Sequence, residues 1–114
     1  MPSLHLLVIK THQPAALAAF YTNLGFEFDY HQHGKGPFHY ASQGTPVTLE
    51  IYPLPKGVAT ADTTTRLGFT VDDVDNLVQR LPAGNIVTMP AATQWGYAAI
   101  VQDPDGRKIE LVQA

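Results

Sequence analysis

The chain of 114 residues contains the same pattern twice, and this internal repeat limits its fold more than any other feature of the sequence. Ile9-Lys10-Thr11 aligns with Phe69-Thr70-Val71, and Leu49-Glu50-Ile51 aligns with Ile109-Glu110-Leu111, both at an offset of 60 residues. Several matches in one register indicate an internal duplication. Each half is therefore expected to fold into the same small unit.

The first half is predicted to form a strand, a helix and three more strands. The short apolar segment LHLLVIKT is typical of a buried strand. Pro14 suits the first turn of a helix and Gly25 its end. The helix has an apolar stripe at helical spacing, made of Leu17, Phe20, Tyr21 and Leu24. FEFDYHQH, PFHYASQ and PVTLEIYP are the three strands that follow.

The second half repeats this order after a loop of about ten residues, PKGVATADTT. RLGFTV is a strand, and either Asp72 or Asp73 is the N-cap of the next helix. NIVTM, YAAIVQD and RKIELVQ are the last strands, the final two joined by a DPDG turn. We expect one domain with a first module over residues 1–54, a linker over 55–64 and a second module over 65–114.

Composition narrows the class of protein. Hydrophobic residues make up 45% of the chain and charged residues 15%, as in a folded globule. The net charge is −3 and the seven Lys and Arg are not clustered, which argues against nucleic acid or an anionic membrane as partner. Without cysteine there is no disulfide, thiol catalysis or thiolate metal site. The start MPSLHLLVIK resembles neither a signal peptide nor a membrane span, so a cytoplasmic protein is expected.

Four segments resemble the vicinal oxygen chelate superfamily, which includes the glyoxalase, bleomycin-resistance and extradiol-dioxygenase proteins. They are FYTNLGFEF, LEIYP, RLGFTVDD and DPDGRKIELVQ, and the resemblance extends from about Leu4 to Gln113. It implies an α+β fold of two βαβββ modules whose mixed sheets curl around a central cavity. It also implies a homodimer, in which the partner sometimes completes the cavity.

The resemblance also implies where a metal ion would bind. Metal-dependent members use one side chain on the first and one on the last strand of each module, and these positions match Leu6, Glu50, Arg66 and Glu110. Leucine has no donor atom and a guanidinium stays protonated, so we predict no metal cofactor. The alternative is a Zn, Ni, Mn or Fe ion held by Glu50, Glu110 and His5, which a one-residue shift or bulge would turn inward.

Further side chains are candidates for ligand binding. Arg66 could satisfy two inward glutamates in place of a metal, although a surface position is the alternative. Lys10 shares a strand face with the first-strand metal position, and Tyr52 shares the face of Glu50. Trp95, beside a glycine, is a candidate for stacking on a flat ligand. Ordinary packing is the alternative for the tryptophan, and a solvated strand end is the alternative for the lysine.

The stretch HQHGKGPFHY is predicted to be a hairpin of the first module. A two- or four-residue turn centred on its Lys-Gly pair places His31 opposite Tyr40. His31 and His33 then share one face of the sheet, while His39 lies on the other. This register excludes a metal site of three histidines. His39 and Tyr40 are each candidate ligand contacts, depending on the register.

These features favour a protein that binds a small polar or anionic organic molecule without the family's metal ion. Two alternatives use the same residues. One is a metal-dependent lyase, isomerase or dioxygenase with Glu50 or Glu110 as a base. The other is acid–base catalysis without metal.

Overall fold

A computed structural model describes all 114 residues, which divide into two compact units, Met1–Asp62 and Thr63–Ala114. We call them the first and the second module. Each contains a four-stranded mixed sheet and one α-helix in the order βαβββ. The predicted α+β class with two βαβββ modules is therefore confirmed.

The first module has the sheet order β1-β4-β3-β2, with β1 parallel to β4 and the other neighbours antiparallel. Its elements are β1 (Leu6–Thr11), α1 (Pro14–Asn23), β2 (Phe28–His31), β3 (His39–Ser42) and β4 (Thr48–Pro53).

The second module repeats this arrangement with the sheet order β5-β8-β7-β6. Its elements are β5 (Leu67–Val71), α2 (Val74–Gln79), a 3₁₀ turn (Ala83–Asn85), β6 (Ile86–Thr93), β7 (Gly96–Gln102) and β8 (Lys108–Gln113). In both parallel pairs the partner lies 42 positions further along the chain, Val8 opposite Glu50 and Gly68 opposite Glu110. The common register supports the internal duplication.

Apolar stripes hold a helix on one face of each sheet. α1 begins at Pro14, as predicted, and buries Leu17 and Tyr21 completely. α2 buries Val74, Leu77 and Val78, and the Asp73 side chain caps the helix by accepting a hydrogen bond from the Asn76 amide. Alternate strand residues lie in the core beneath the helices, including Ile51 and Ile109. No helix has the length and apolar character needed to cross a membrane.

The turn between β7 and β8 is closed by a buried ion cluster. Gly106, with φ +97°, donates a backbone hydrogen bond to Asp103 at the predicted DPDG turn. The Arg107 guanidinium donates to the carboxylates of Asp103 and Asp105 at 3.2 and 2.8 Å. Asp103 and Asp105 therefore stabilise the turn that the sequence predicts.

Candidate functional site

The face of the first sheet that α1 leaves uncovered carries the candidate site. Strand pairing places Val8 beside Glu50 and Lys10 beside Tyr52, with all four side chains on this face. Val8 is 38% exposed, whereas its neighbour Ile9 is 5% exposed beneath α1. We call this surface the helix-free face. It brings together Lys10, Glu50 and Tyr52, three residues that the sequence singled out.

The hairpin register differs by one residue from the predicted one. His31 lies opposite His39, and Tyr30 lies opposite Tyr40, so the prediction that paired His31 with Tyr40 was wrong. Strands β2 and β3 are joined by seven residues, within which the Gly36 amide donates to the His33 carbonyl. Pro37 contributes to the difference, because it has no N–H and cannot extend the strand ladder towards the turn.

The corrected register gathers three histidines on the helix-free face. The ring centroids of His31 and His39 are 4.6 Å apart, and His33 lies 4.8 and 5.0 Å from them. Glu50 joins them from β4, with a carboxylate oxygen 3.7 Å from His39 Nε2. One donor atom from each of these four side chains lies within 4.8 Å of the others. We call this group the His–Glu cluster.

The orientation of His39 is fixed by its neighbours. Its Nδ1 lies 3.2 Å from the Pro37 carbonyl oxygen, which can only accept, so Nδ1 carries the proton. Its Nε2 lies 3.2 Å from the Tyr52 hydroxyl and also faces Glu50. The His39 and Tyr52 rings stack with centroids 4.0 Å apart. His39 is 1% exposed, and with Nδ1 protonated its Nε2 accepts the hydrogen bond of the Tyr52 hydroxyl.

Two further atoms define the chemistry of the cluster. Partial burial, and then the negative charge of Glu50, raise the pKa of Tyr52 above its ordinary value. The neutral phenol is thus favoured further beside Glu50. His31 Nε2 is buried and has no hydrogen-bond partner in the protein. A buried nitrogen without a partner costs about 1–3 kcal/mol, so a group that satisfies it stabilises the fold.

Tyr40 lies on the opposite face of the sheet from the cluster. It packs against Tyr30 with ring centroids 4.6 Å apart, and Tyr30 stacks on Phe38 at 5.3 Å. Of the two hairpin residues that the sequence proposed as ligand contacts, only His39 therefore shares the face of Glu50 and Tyr52.

Three candidate site residues from the sequence lie in the second module. Glu110 on β8 is half-buried opposite Gly68, and exposed Arg66 precedes β5. Trp95 is 72% exposed at the turn between β6 and β7, where its amide donates to the Thr93 hydroxyl. The expected bridge from Arg66 to both glutamates and the stacking role of Trp95 stay predictions.

His5 is exposed and immediately precedes β1. The pairing of β1 with β4 runs without interruption from Leu6 to Thr11, so it lacks the bulge that would turn this histidine towards Glu50. Strand alternation places His5 on the opposite face from Leu6. The geometry of the first module therefore does not favour the alternative metal set that includes His5.

The sequence contained the signal for the His–Glu cluster, in three histidines within HQHGKGPFHY, but alternation alone could not decide the faces. The length of the loop between β2 and β3 determines on which face of the sheet each histidine lies. Glu50 was singled out for a different site, and only the sheet order β4-β3-β2 shows that it lies beside the histidine hairpin.

A family model for the glyoxalase, bleomycin resistance protein and dioxygenase superfamily matches residues 3–111. The chain belongs to this superfamily. No curated protein sequence matches the chain. Solved structures share the fold: a glyoxalase/bleomycin resistance protein from Streptomyces sp. CB03234 is 26% identical with a TM-score of 0.73, over 97% of this chain and 100% of that one.

Two further solved structures with this fold are an antibiotic-binding protein and a hypothetical protein. TnmS3, an antibiotic-binding protein from the same Streptomyces, is 24% identical with a TM-score of 0.75, over 99% of this chain and 96% of that one. Hypothetical protein SA1046 from S. aureus is 21% identical with a TM-score of 0.74, over 100% and 98%. At these identities the likeness shows the fold alone.

The superfamily implies a metal ion, and the residues at its four positions do not fit one. Leu6 is 40% exposed on the helix-free face and has no donor atom. Arg66 offers only a protonated guanidinium. Glu50 and Glu110 are the two positions that could bind a cation.

Proposed function

We propose that the protein binds a small polar or anionic organic molecule on the helix-free face of its first module, without a metal at the superfamily's four positions. The observation that carries this proposal is the convergence there of a cation, a hydroxyl donor and an imidazole beside partly exposed apolar side chains. These are Lys10, Tyr52, His39, Leu6 and Val8. Binding sites typically combine an apolar wall with a few placed polar groups.

Each side chain is proposed to make a different kind of contact with the ligand. The Lys10 ammonium attracts the negative end of a ligand, and the Tyr52 hydroxyl, beside it on β4, is a second polar contact. Leu6 and Val8 offer an apolar surface for the ligand's carbon skeleton. Antibiotic binding by TnmS3 supports recognition of an organic molecule on this fold.

The test is a titration with small aromatic carboxylates, such as benzoate and salicylate, followed by amide chemical shifts. We expect saturable shifts at Val8, Lys10 and Tyr52. Lys10→Met should weaken binding about tenfold, as expected for loss of one charge-assisted contact. Lys35→Met, in the exposed hairpin loop, is the matched control and should leave the affinity unchanged. Equal weakening by both substitutions would contradict the proposal.

The second candidate is a metal-dependent lyase, isomerase or dioxygenase with Glu50 or Glu110 as base. The His–Glu cluster is the observation that favours it, because it surrounds Glu50 with nitrogen donors. Metal analysis of the purified chain, together with Glu50→Gln, separates this candidate from metal-free binding.

A further inference from the structure

We propose that His31, His33, His39 and Glu50 form a binding site for one divalent transition-metal ion, of the zinc or nickel class, within the first module. The site differs from the four superfamily positions, since its histidines come from the β2–β3 hairpin and only Glu50 is shared. It shares His39 with the organic-ligand site proposed above, but its test uses the metal ion alone and does not need that ligand.

The spacing of the donor atoms suits such an ion. Zinc–nitrogen and zinc–oxygen bonds of about 2.0–2.2 Å in a tetrahedron place the donors about 3.4 Å apart. His39 Nε2 and a Glu50 oxygen are 3.7 Å apart, close to that edge. All four donors lie within 4.8 Å of one another, so closure needs movements of about an ångström. His33 can supply this movement because it is exposed in the hairpin loop.

The ring orientations also suit a metal. Metal-bound histidines usually donate their second ring N–H to a carbonyl or carboxylate, which fixes the tautomer. His39 makes this contact through Nδ1 to the Pro37 carbonyl at 3.2 Å, leaving Nε2 as the donor atom. His31 provides an independent observation, because its Nε2 is buried without a partner. A metal ion would satisfy His31 Nε2 and would take the place of the Tyr52 hydroxyl at His39 Nε2.

The second module shows that the fold itself does not require these histidines. Its counterparts of His31 and His39 are Ala91 and Ala98, which lie opposite each other on β6 and β7. Glu110 occupies the position of the cluster's glutamate. Alanine therefore suffices at the same place in the same scaffold, and packing alone does not account for the histidines.

Chemistry limits the identity of the ion. Three imidazoles and one carboxylate are borderline ligands that favour zinc, nickel, copper or iron over calcium and magnesium, which prefer all-oxygen sites. The carboxylate supplies one negative charge, which leaves a positive complex. An exposed His33 at the rim keeps one side of the ion accessible, so a small anion could join the coordination sphere.

The experiment uses the full chain without a polyhistidine tag, stripped of metal with a chelator and titrated with Zn²⁺ by calorimetry and with Co²⁺ by visible absorption. We expect one ion per chain and cobalt bands typical of a four-coordinate site. His33→Gln should weaken binding at least about tenfold without affecting folding, since the side chain is exposed.

The chain provides a matched control in its other two histidines, His5 and His12, which are exposed in the same module but lie outside the cluster. The double variant His5→Gln, His12→Gln should bind metal like the wild type. Failure to bind Zn²⁺ at 100-fold molar excess would overturn the proposal. A stoichiometry of one ion per two chains, or equal weakening in the control, would overturn it as well, since either result indicates adventitious surface chelation.

Imidazole nitrogen chemical shifts give a second readout that does not depend on a variant folding. On addition of Zn²⁺, the ring resonances of His31, His33 and His39 should move together, while those of His5 and His12 stay in place. Movement of the two control rings alone would contradict the assignment.

Discussion

Arg107 is the largest fully buried side chain of the protein, at 1% exposed, and its charge is balanced by Asp103 and Asp105. Burial opposes that charge, but the hydrogen bonds and charges of the two carboxylates outweigh it, so the pKa of the guanidinium is raised. Asp103 also accepts hydrogen bonds from two backbone amides of the turn. The guanidinium thus helps to hold the DPDG turn in place.

Arg107→Met should destabilise the fold by about 3–5 kcal/mol, because it leaves two carboxylates buried without their partner. Urea denaturation measures the change. Lys108→Met, at the exposed neighbouring position, is the control and should alter the free energy of unfolding by less than about 0.5 kcal/mol. Similar values for the two variants would contradict a structural role for the ion cluster.

Tyrosine ionisation is perturbed at two residues. Partial burial and Glu50 raise the pKa of Tyr52, and the hydrogen bond that the Tyr97 hydroxyl donates to Asp75 at 2.6 Å raises the pKa of Tyr97. In each case the folded state favours the neutral phenol. Their contribution to stability is therefore complete below pH 10.0, the ordinary value, and is lost as pH rises through the folded-state values.

An absorbance titration of the phenolates checks this pH dependence. We expect Tyr52→Phe and Tyr97→Phe each to remove a component that titrates above pH 10.0. Glu50→Gln should bring the Tyr52 component closer to the ordinary value, because it removes one of the two causes. The Tyr97 component should not respond to Glu50→Gln, and an equal response of both would contradict the assignment.

At the scale of elements, α2 is short and depends on its N-cap. The sequence left Asp72 and Asp73 as alternatives, and the structure selects Asp73, whose carboxylate accepts from the Asn76 amide at 3.0 Å. Asp73→Ala should cost about 1 kcal/mol in the free energy of unfolding. Asp72→Ala is the neighbouring control and should cost less than about 0.5 kcal/mol, as measured by thermal or urea denaturation.

Local sequence patterns predicted the helices and strands well. The main error was the register of the β2–β3 hairpin, which depends on the length of the loop between the two strands. Apolar spacing gave both helices, and Pro14 gave the start of α1. The faces of the hairpin depended on the number of residues between two paired strands, which the turn residues alone do not fix. His31 therefore lies on the same face as His39, whereas the predicted register placed the two on opposite faces.

At the scale of the whole molecule, the segment between β4 and β5 is the longest connection in the chain. It extends from Leu54 to Arg66 without helix or strand, and most of its residues are exposed. It corresponds to the loop that the sequence predicted between its two halves. Exposed connections of this kind are the preferred sites of proteolytic cleavage.

Limited trypsin digestion should therefore cut first after Lys56 or Arg66 in this connection and after Lys35 in the hairpin loop. Arg107 is buried and should resist cleavage until the chain unfolds. Mass spectrometry of early fragments identifies the sites. Early cleavage after Arg107 would contradict the burial described for the second module.

The common register of the two sheets gives the second module the same strand arrangement without the histidines of the His–Glu cluster. Ala91 and Ala98 face each other as the two strand histidines do, and Glu110 is already present. Replacing both alanines by histidine would place two imidazoles on the sheet face of Glu110, whereas the loop histidine has no counterpart, because β6 and β7 are joined by two residues and β2 and β3 by seven. The duplication thus offers a second pair of strands for a designed metal centre, and lengthening the β6–β7 connection would supply the backbone for its third histidine.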